Sequence, residues 1–219
     1  MFEAFNYPGE PAVRGFLHRA EREADGLVLA HSAGSNCHSP LLVALAEAFR
    51  VEGVTVLRCD LPFRQARPHG PPFGSSAMDQ AGLRQAIEAL RAEVSGRIFL
   101  GGHSYGGRMA SMLAAESARV ADALLLLSYP LHPPRKPQQL RTAHFSGLRT
   151  PVFFVHGTRD PLGSISEMES ALKLISANTQ LFPLENAGHE LLGKTNRELT
   201  VSAIVKSFIH WSGTLENSA

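Results

Sequence analysis

One stretch narrows the folding options of this chain more than any other: Phe99-Leu100-Gly101-Gly102-His103-Ser104-Tyr105-Gly106-Gly107-Arg108-Met109-Ala110-Ser111. A β-prone run from Arg97 to Leu100 stops at paired glycines, and an Ala/Met-rich helical pattern resumes after Gly107. Between them lies Gly-x-Ser-x-Gly, the spacing of a tight strand-to-helix turn that holds a serine with its hydroxyl projecting outward. Glycine at Gly102 and Gly106 lets the incoming strand and outgoing helix nearly touch, while the helix start offers unpaired N–H groups and a positive dipole end. Five residues alone also read as a glycine-rich turn with a capping serine, so the rest of the chain has to decide.

The remaining pattern alternates strands and helices. Gly26 to His31 is an apolar run of the kind found inside a parallel sheet, followed by a loop and a helix opened by Ser39-Pro40 whose Leu41, Leu42, Leu45 and Phe49 repeat at helical spacing up to Gly53. Val54 to Arg58 is the next strand, residues 62 to 75 a Pro-rich loop, and Ser76-x-x-Asp79 caps a helix that buries Leu83, Ile87, Leu90 and Val94. After the Ser104 turn come strands at Ala123 to Ser128, Pro151 to His156 and Thr179 to Leu184, with helices opened by Ser164-x-x-Glu167 and Thr195-x-x-Glu198. The last helix buries Ile204, Val205, Phe208 and Trp211. Residues 1 to about 25 read as irregular, apart from a strand-like run at Val13 to Leu17. Such alternation predicts a doubly wound α/β fold: a mostly parallel sheet with helices on both faces, right-handed crossovers and no large cap. With 219 residues, 44% of them hydrophobic, the chain suffices for one sizeable core, and residues 1–219 read as a single domain.

In an open sheet of this kind, functional groups collect at the carboxyl ends of strands. Ser104 ends one strand, Gly157-Thr158-Arg159-Asp160-Pro161 ends another, and Asn186-Ala187-Gly188-His189-Glu190 follows a third. A serine hydroxyl is a poor nucleophile at neutral pH and needs a base; His189 can take its proton, and Asp160 can fix the imidazole tautomer and stabilise the imidazolium. Taken singly, His189 reads as a loop residue and Asp160-Pro161 as a turn initiator; on three strand ends in the order Ser, Asp, His they read as a triad. Asp60 and Glu190 are the fallback acids. An oxyanion hole needs two N–H groups, the first from Tyr105 and the second from the loop His31-Ser32-Ala33-Gly34, where Ala33 is the choice and Gly34 the alternative.

These residues resemble the α/β hydrolase superfamily, in particular its small capless branch of dienelactone-hydrolase-like and predicted serine hydrolases. The resemblance runs from about residue 26 to 212 and includes Tyr129-Pro130-Leu131-His132-Pro133-Pro134 as well as the Ser104 and Asp160 motifs. It implies catalytic roles for Ser104, Asp160 and His189. The chain departs from the pattern at Ser32, where relatives carry glycine after the histidine.

Net charge is +1 and gives no global bias toward nucleic acid or anionic membrane. Charge matters only locally: the loops 62 to 75 and 129 to 149 hold Arg64, Arg67, Arg135, Lys136, Arg141 and Arg149 with no Asp or Glu, which predicts attraction of acidic substrates. His103, Phe63, Arg64 and His132 are the expected substrate-lining residues, in an open, shallow site. Cys37 and Cys59, the only cysteines, lack zinc-knuckle or disulfide-framework spacing, and no His-Glu-x-x-His is present. The expectation is therefore a cofactor-independent, metal-free, cytoplasmic serine hydrolase taking small-molecule esters or thioesters, with no nucleic-acid or membrane partner. Two alternatives stay open: a catalytically silent interaction protein on the same fold, and an acyltransferase using the same triad.

Overall fold

The computed structural model describes residues 2–21, 25–193 and 197–215. Its strands are β1 (Glu3–Tyr7), β2 (Val13–His18), β3 (Gly26–Ala30), β4 (Thr55–Cys59), β5 (Ile98–His103), β6 (Ala123–Leu127), β7 (Val152–Gly157) and β8 (Thr179–Leu184). Leu27, Val28, Leu29 and Ala30 of β3 are all buried, as an uninterrupted apolar run must be when both faces of its sheet are covered. Alternation sorts them: Leu27 and Leu29 pack with Leu42, Leu45, Ile204 and Phe208, while Val28 and Ala30 pack with Leu83, Ile87, Met109 and Leu113. The same split holds in β6, where Leu125 and Leu127 face the first set and Leu124 and Leu126 the second.

Helices α1 (Pro40–Val51) and α6 (Arg197–Thr214) thus cover one face. The other is covered by α3 (Ser76–Arg91), α4 (Tyr105–Glu116) and α5 (Ile165–Leu172), with a short α2 (Pro62–Ala66) preceding α3. The eight strands run in the order β1-β2-β4-β3-β5-β6-β7-β8, parallel from β4 through β8, with β1 and β2 antiparallel at one edge. This is the expected α/β hydrolase sheet with helices on both faces, and β5 sits centrally with β4 two strands away on one side and β7 two away on the other.

Several local expectations are corrected. The strand-like run at Val13 to Leu17 is β2, but the chain before it is not irregular: β1 pairs with β2 as an edge strand with mostly exposed side chains, so it carries little of the apolar alternation by which strands are recognised. Strand β5 does not stop at Leu100 but continues through Gly101 and Gly102 to His103; a Cβ at Gly102 would lie 2.6 Å from the Gly106 carbonyl carbon, so glycine there lets the following helix close onto the strand end. Part of the 62 to 75 loop is the helical turn α2, with Pro62 in its first turn. The N-cap of α3 is Ser75, whose side chain accepts from the Ala77 N–H, which frees Asp79 for the site described below. Ser164 and Glu167 form the capping box of α5, while the Thr195 cap lies outside the described residues.

Candidate active site

Ser104 stands between β5 and α4 at φ 52 and ψ −109, a backbone region that costs a non-glycine residue free energy and is held here by its surroundings. Its N–H donates to Leu127 O at 2.8 Å and the Gly106 N–H donates to His31 O at 3.1 Å, so the neighbouring β6 and β3 grip the turn from both sides. A Cβ at Gly106 would lie 2.7 Å from Ala30 O, so the turn fits only with glycine there.

Three strand ends bring Ser104, His189 and Asp160 into one hydrogen-bonded line. Ser104 Oγ lies 2.8 Å from His189 Nε2, and His189 Nδ1 lies 2.8 Å from Asp160 Oδ2. Asp160 Oδ1 accepts the Leu162 N–H at 2.8 Å, leaving Oδ2 for the imidazole. Burial pushes the Asp160 carboxyl upward, but the hydrogen bond and charge of His189 together with the Leu162 N–H outweigh it and hold the group below the usual carboxylate range. A carboxylate on Nδ1 puts the proton there and presents the Nε2 lone pair to the serine hydroxyl. His103 Nε2 donates to His189 O at 2.8 Å, tethering the loop that carries the imidazole. The fallback acids stand elsewhere: Asp60 accepts the Cys37 N–H at 2.7 Å, and Glu190 is an exposed rim residue of the cleft.

On the opposite side of Ser104, the N–H groups of Ala33 and Tyr105 donate to no other described residue. Their peptides are held from behind. The Leu61 N–H donates to His31 Nε2 at 3.1 Å, so the ring proton is on Nδ1, which donates to Ser32 O at 2.8 Å. Burial pushes the His31 imidazole below its ordinary value and keeps it neutral. Asp79, 2% exposed, accepts the Phe63 N–H at 3.0 Å and the Tyr105 hydroxyl at 2.7 Å. Neither His31 nor Asp79 stood out in the sequence for this task, since a helical Asp reads as a cap and a strand-end His as one of ten.

An open cleft of about 450 Å³ lies over the serine, lined by Ser32, Ala33, Gly34, Ser35, Ser104, His189 and Glu190. A larger hollow of about 610 Å³ between α1 and α6 contains none of the triad residues and is lined by Val43, Val51, Val201 and their neighbours. The four residues expected to line the substrate do not line the cleft. His103 and Phe63 are buried, the latter packed edge-on against Tyr105; His132 is buried against the chain after Asp160, its N–H donating to Leu162 O. Arg64, 5% exposed, donates to main-chain carbonyls instead of facing the cleft.

The expected electrostatic rim is reduced accordingly. Arg67 lies over Phe73 and donates to Pro71 O. Arg149 bonds Ser146 and Ser176 beside the amino ends of β7 and β8, away from the serine. Both cysteines are free and buried, and among the described residues no group of three or more His, Cys, Asp or Glu is placed to hold a metal ion. No described helix is long and apolar enough to cross a membrane.

Residues 23–214 match the family described as "Alpha/beta hydrolase domain". Among solved structures, the chain is similar to a dienelactone hydrolase from Anabaena variabilis at TM-score 0.79 and 21% identity, over 96% of this chain and 97% of that one. It is also similar to an α/β serine hydrolase homologue from Coxiella burnetii (TM-score 0.75, 15% identity, 94% and 96% covered). A lidless α/β serine hydrolase from Xanthomonas campestris gives TM-score 0.70 and 17% identity, over 95% of this chain and 94% of that one. At such identities the likeness is one of fold.

Proposed function

The chain belongs to the α/β hydrolase domain family, and from that premise we propose that it is a serine hydrolase, folded as one domain, that cleaves small carboxylic esters or thioesters through an acyl-enzyme. The observation that carries this reading is the line of two 2.8 Å contacts, Ser104 Oγ to His189 Nε2 and His189 Nδ1 to Asp160, beside two main-chain N–H groups that donate to no other described residue.

In the proposed mechanism Ser104 Oγ attacks the acyl carbon as its proton passes to His189 Nε2, and Asp160 stabilises the imidazolium. The N–H groups of Ala33 and Tyr105 receive the negative charge that develops on the carbonyl oxygen. Collapse of the tetrahedral species expels the alcohol or thiol, which takes the proton from His189, and leaves the acyl group on Ser104. Water then attacks the acyl carbon, giving its proton to the same nitrogen; the bond from the acyl carbon to Ser104 Oγ breaks, the acid leaves, and His189 returns the proton to the serine.

Small substrates are favoured by the openness and volume of the cleft. The 129 to 149 segment packs down through Tyr129, Leu131, Phe145 and Leu148 instead of rising into a cap. Support for an acidic substrate is narrower than the loop charges suggested, because Arg64 is enclosed and Arg149 lies at the other end of the sheet.

Labelling by a fluorophosphonate probe tests the reading. The native chain is expected to react with one equivalent, and Ser104→Ala and His189→Ala to lose that reaction while remaining folded by circular dichroism. Folded native protein that takes no label would replace this reading with that of an interaction protein on a hydrolase fold.

A further inference from the structure

Arg64 is an enclosed cation, 5% exposed, on the five-residue helix α2. A guanidinium has five N–H donors, and here each has an acceptor. Nε donates to Ser35 O at 2.8 Å; Nη2 donates to Ala33 O at 2.7 Å and Gly70 O at 3.1 Å; Nη1 donates to Pro68 O at 2.9 Å and Arg67 O at 3.3 Å. All five partners are main-chain carbonyls and none is a carboxylate. Burying a charge this way is expensive unless every donor is satisfied, and an apolar side chain of similar volume would fill the same space at lower cost. The arrangement therefore calls for a use of the fork or of the charge.

We propose that Arg64 is a positioning residue for the reaction, fixing the 33–35 loop so that its N–H groups meet the developing oxyanion, and that its positive charge, hydrogen-bonded to no carboxylate among the described residues, favours that oxyanion. The proposal rests on the hydrolase reading above. The peptide before Ala33 is already held through Ser32 O by His31 Nδ1 and by the Ser35 N–H at 3.1 Å. Arg64 holds the next peptide through Ala33 O and the one after Ser35 through Ser35 O, so the short turn is clamped from both ends by side chains that never enter the cleft. The remaining three bonds anchor the guanidinium itself to residues 67–70. Donors fixed in advance stabilise the transition state more than the bound substrate, so the effect belongs in kcat.

The test compares native protein with Arg64→Lys, which keeps the charge and loses the fork, and Arg64→Gln, which loses both. Hydrolysis of 4-nitrophenyl butyrate is followed together with inhibition by an alkyl trifluoromethyl ketone, which adds to the serine as a tetrahedral oxyanion, and thermal midpoints are recorded. The expected result is a fall in kcat of about 10- to 100-fold, larger in Arg64→Gln, with KM within about twofold, because removing one oxyanion donor outright costs roughly 100- to 1,000-fold. Inhibitor affinity should weaken in step with kcat/KM. A raised KM at unchanged kcat would make Arg64 a substrate contact, and activity lost only in proportion to unfolded protein, or failure of both variants to fold, would make it structural; each overturns the proposal. Unchanged kinetics in folded variants overturn it while leaving the hydrolase reading intact. An inactive native protein overturns both.

Discussion

On the β7–β8 side of Ser104 the geometry is carried by bonds between side chains, Asp160 to His189 and His189 to Ser104, whereas on the β3–β4 side side chains bond main chain: His31 to Ser32 O, and Arg64 to Ala33 O and Ser35 O. The proposed mechanism gives the two sides different work. In the proposed reaction a proton must move between particular titratable atoms, so residue identity matters at Ser104, His189 and Asp160. Holding an oxyanion requires N–H groups that every non-proline residue owns, so what matters is the set of neighbours fixing where those groups point. One side is specified by residue identity and the other by support.

The sharpest way to break this contrast is Asp160→Asn. Asparagine keeps the shape but favours the wrong imidazole tautomer, so kcat/KM for ester hydrolysis should fall about 10,000-fold. A loss under about tenfold would mean that another acid serves the base. His103 probes a mixed case, a side chain that supports the acid–base side through the main chain at His189 O. His103→Leu removes that bond and should lower kcat/KM about tenfold, the cost of roughly one hydrogen bond, while His103→Gln, able to donate from its amide, should recover part of it. Equal losses in both would show that packing at this buried position outweighs the tether.

The smallest effect concerns acid stability. Burial, reinforced by Arg58 at His18 and by Arg108 at His144, pushes both imidazoles down to about 4. The unfolded chain takes up these protons near pH 6.5 and the folded chain refuses them until about pH 4, so stability is full above 6.5 and is lost as pH falls between those values. Asp160, with its depressed carboxyl, contributes stability above the ordinary carboxylate range and loses it only below that window, as pH falls through its folded value. The thermal midpoint should therefore drop by several degrees from pH 7 to pH 5, and His144→Gln should flatten that slope. An unchanged slope would assign the acid loss to other groups.

The alternation of apolar runs with capped helices contains the sheet, because a strand covered on both faces has to be apolar throughout, as β3 and β6 are. The order Ser104, Asp160, His189 on three strand ends is likewise legible, since carboxyl ends of parallel strands lie together whatever joins them. Strand β1 was not legible, being an edge strand too exposed to show a pattern, although its partner β2 was. Nor was the inward turn of Phe63 and Arg64, which lie in a Pro-rich segment that reads as a solvated loop. A side chain's chemistry is local and travels with its letter, so the sequence by itself determined the layers of the fold and which groups can exchange protons. Whether an arginine meets solvent or five carbonyls depends on residues 33, 35, 67, 68 and 70 arriving around it, and only the tertiary structure decided that, because such a convergence of backbone has no periodicity and no spacing to announce it.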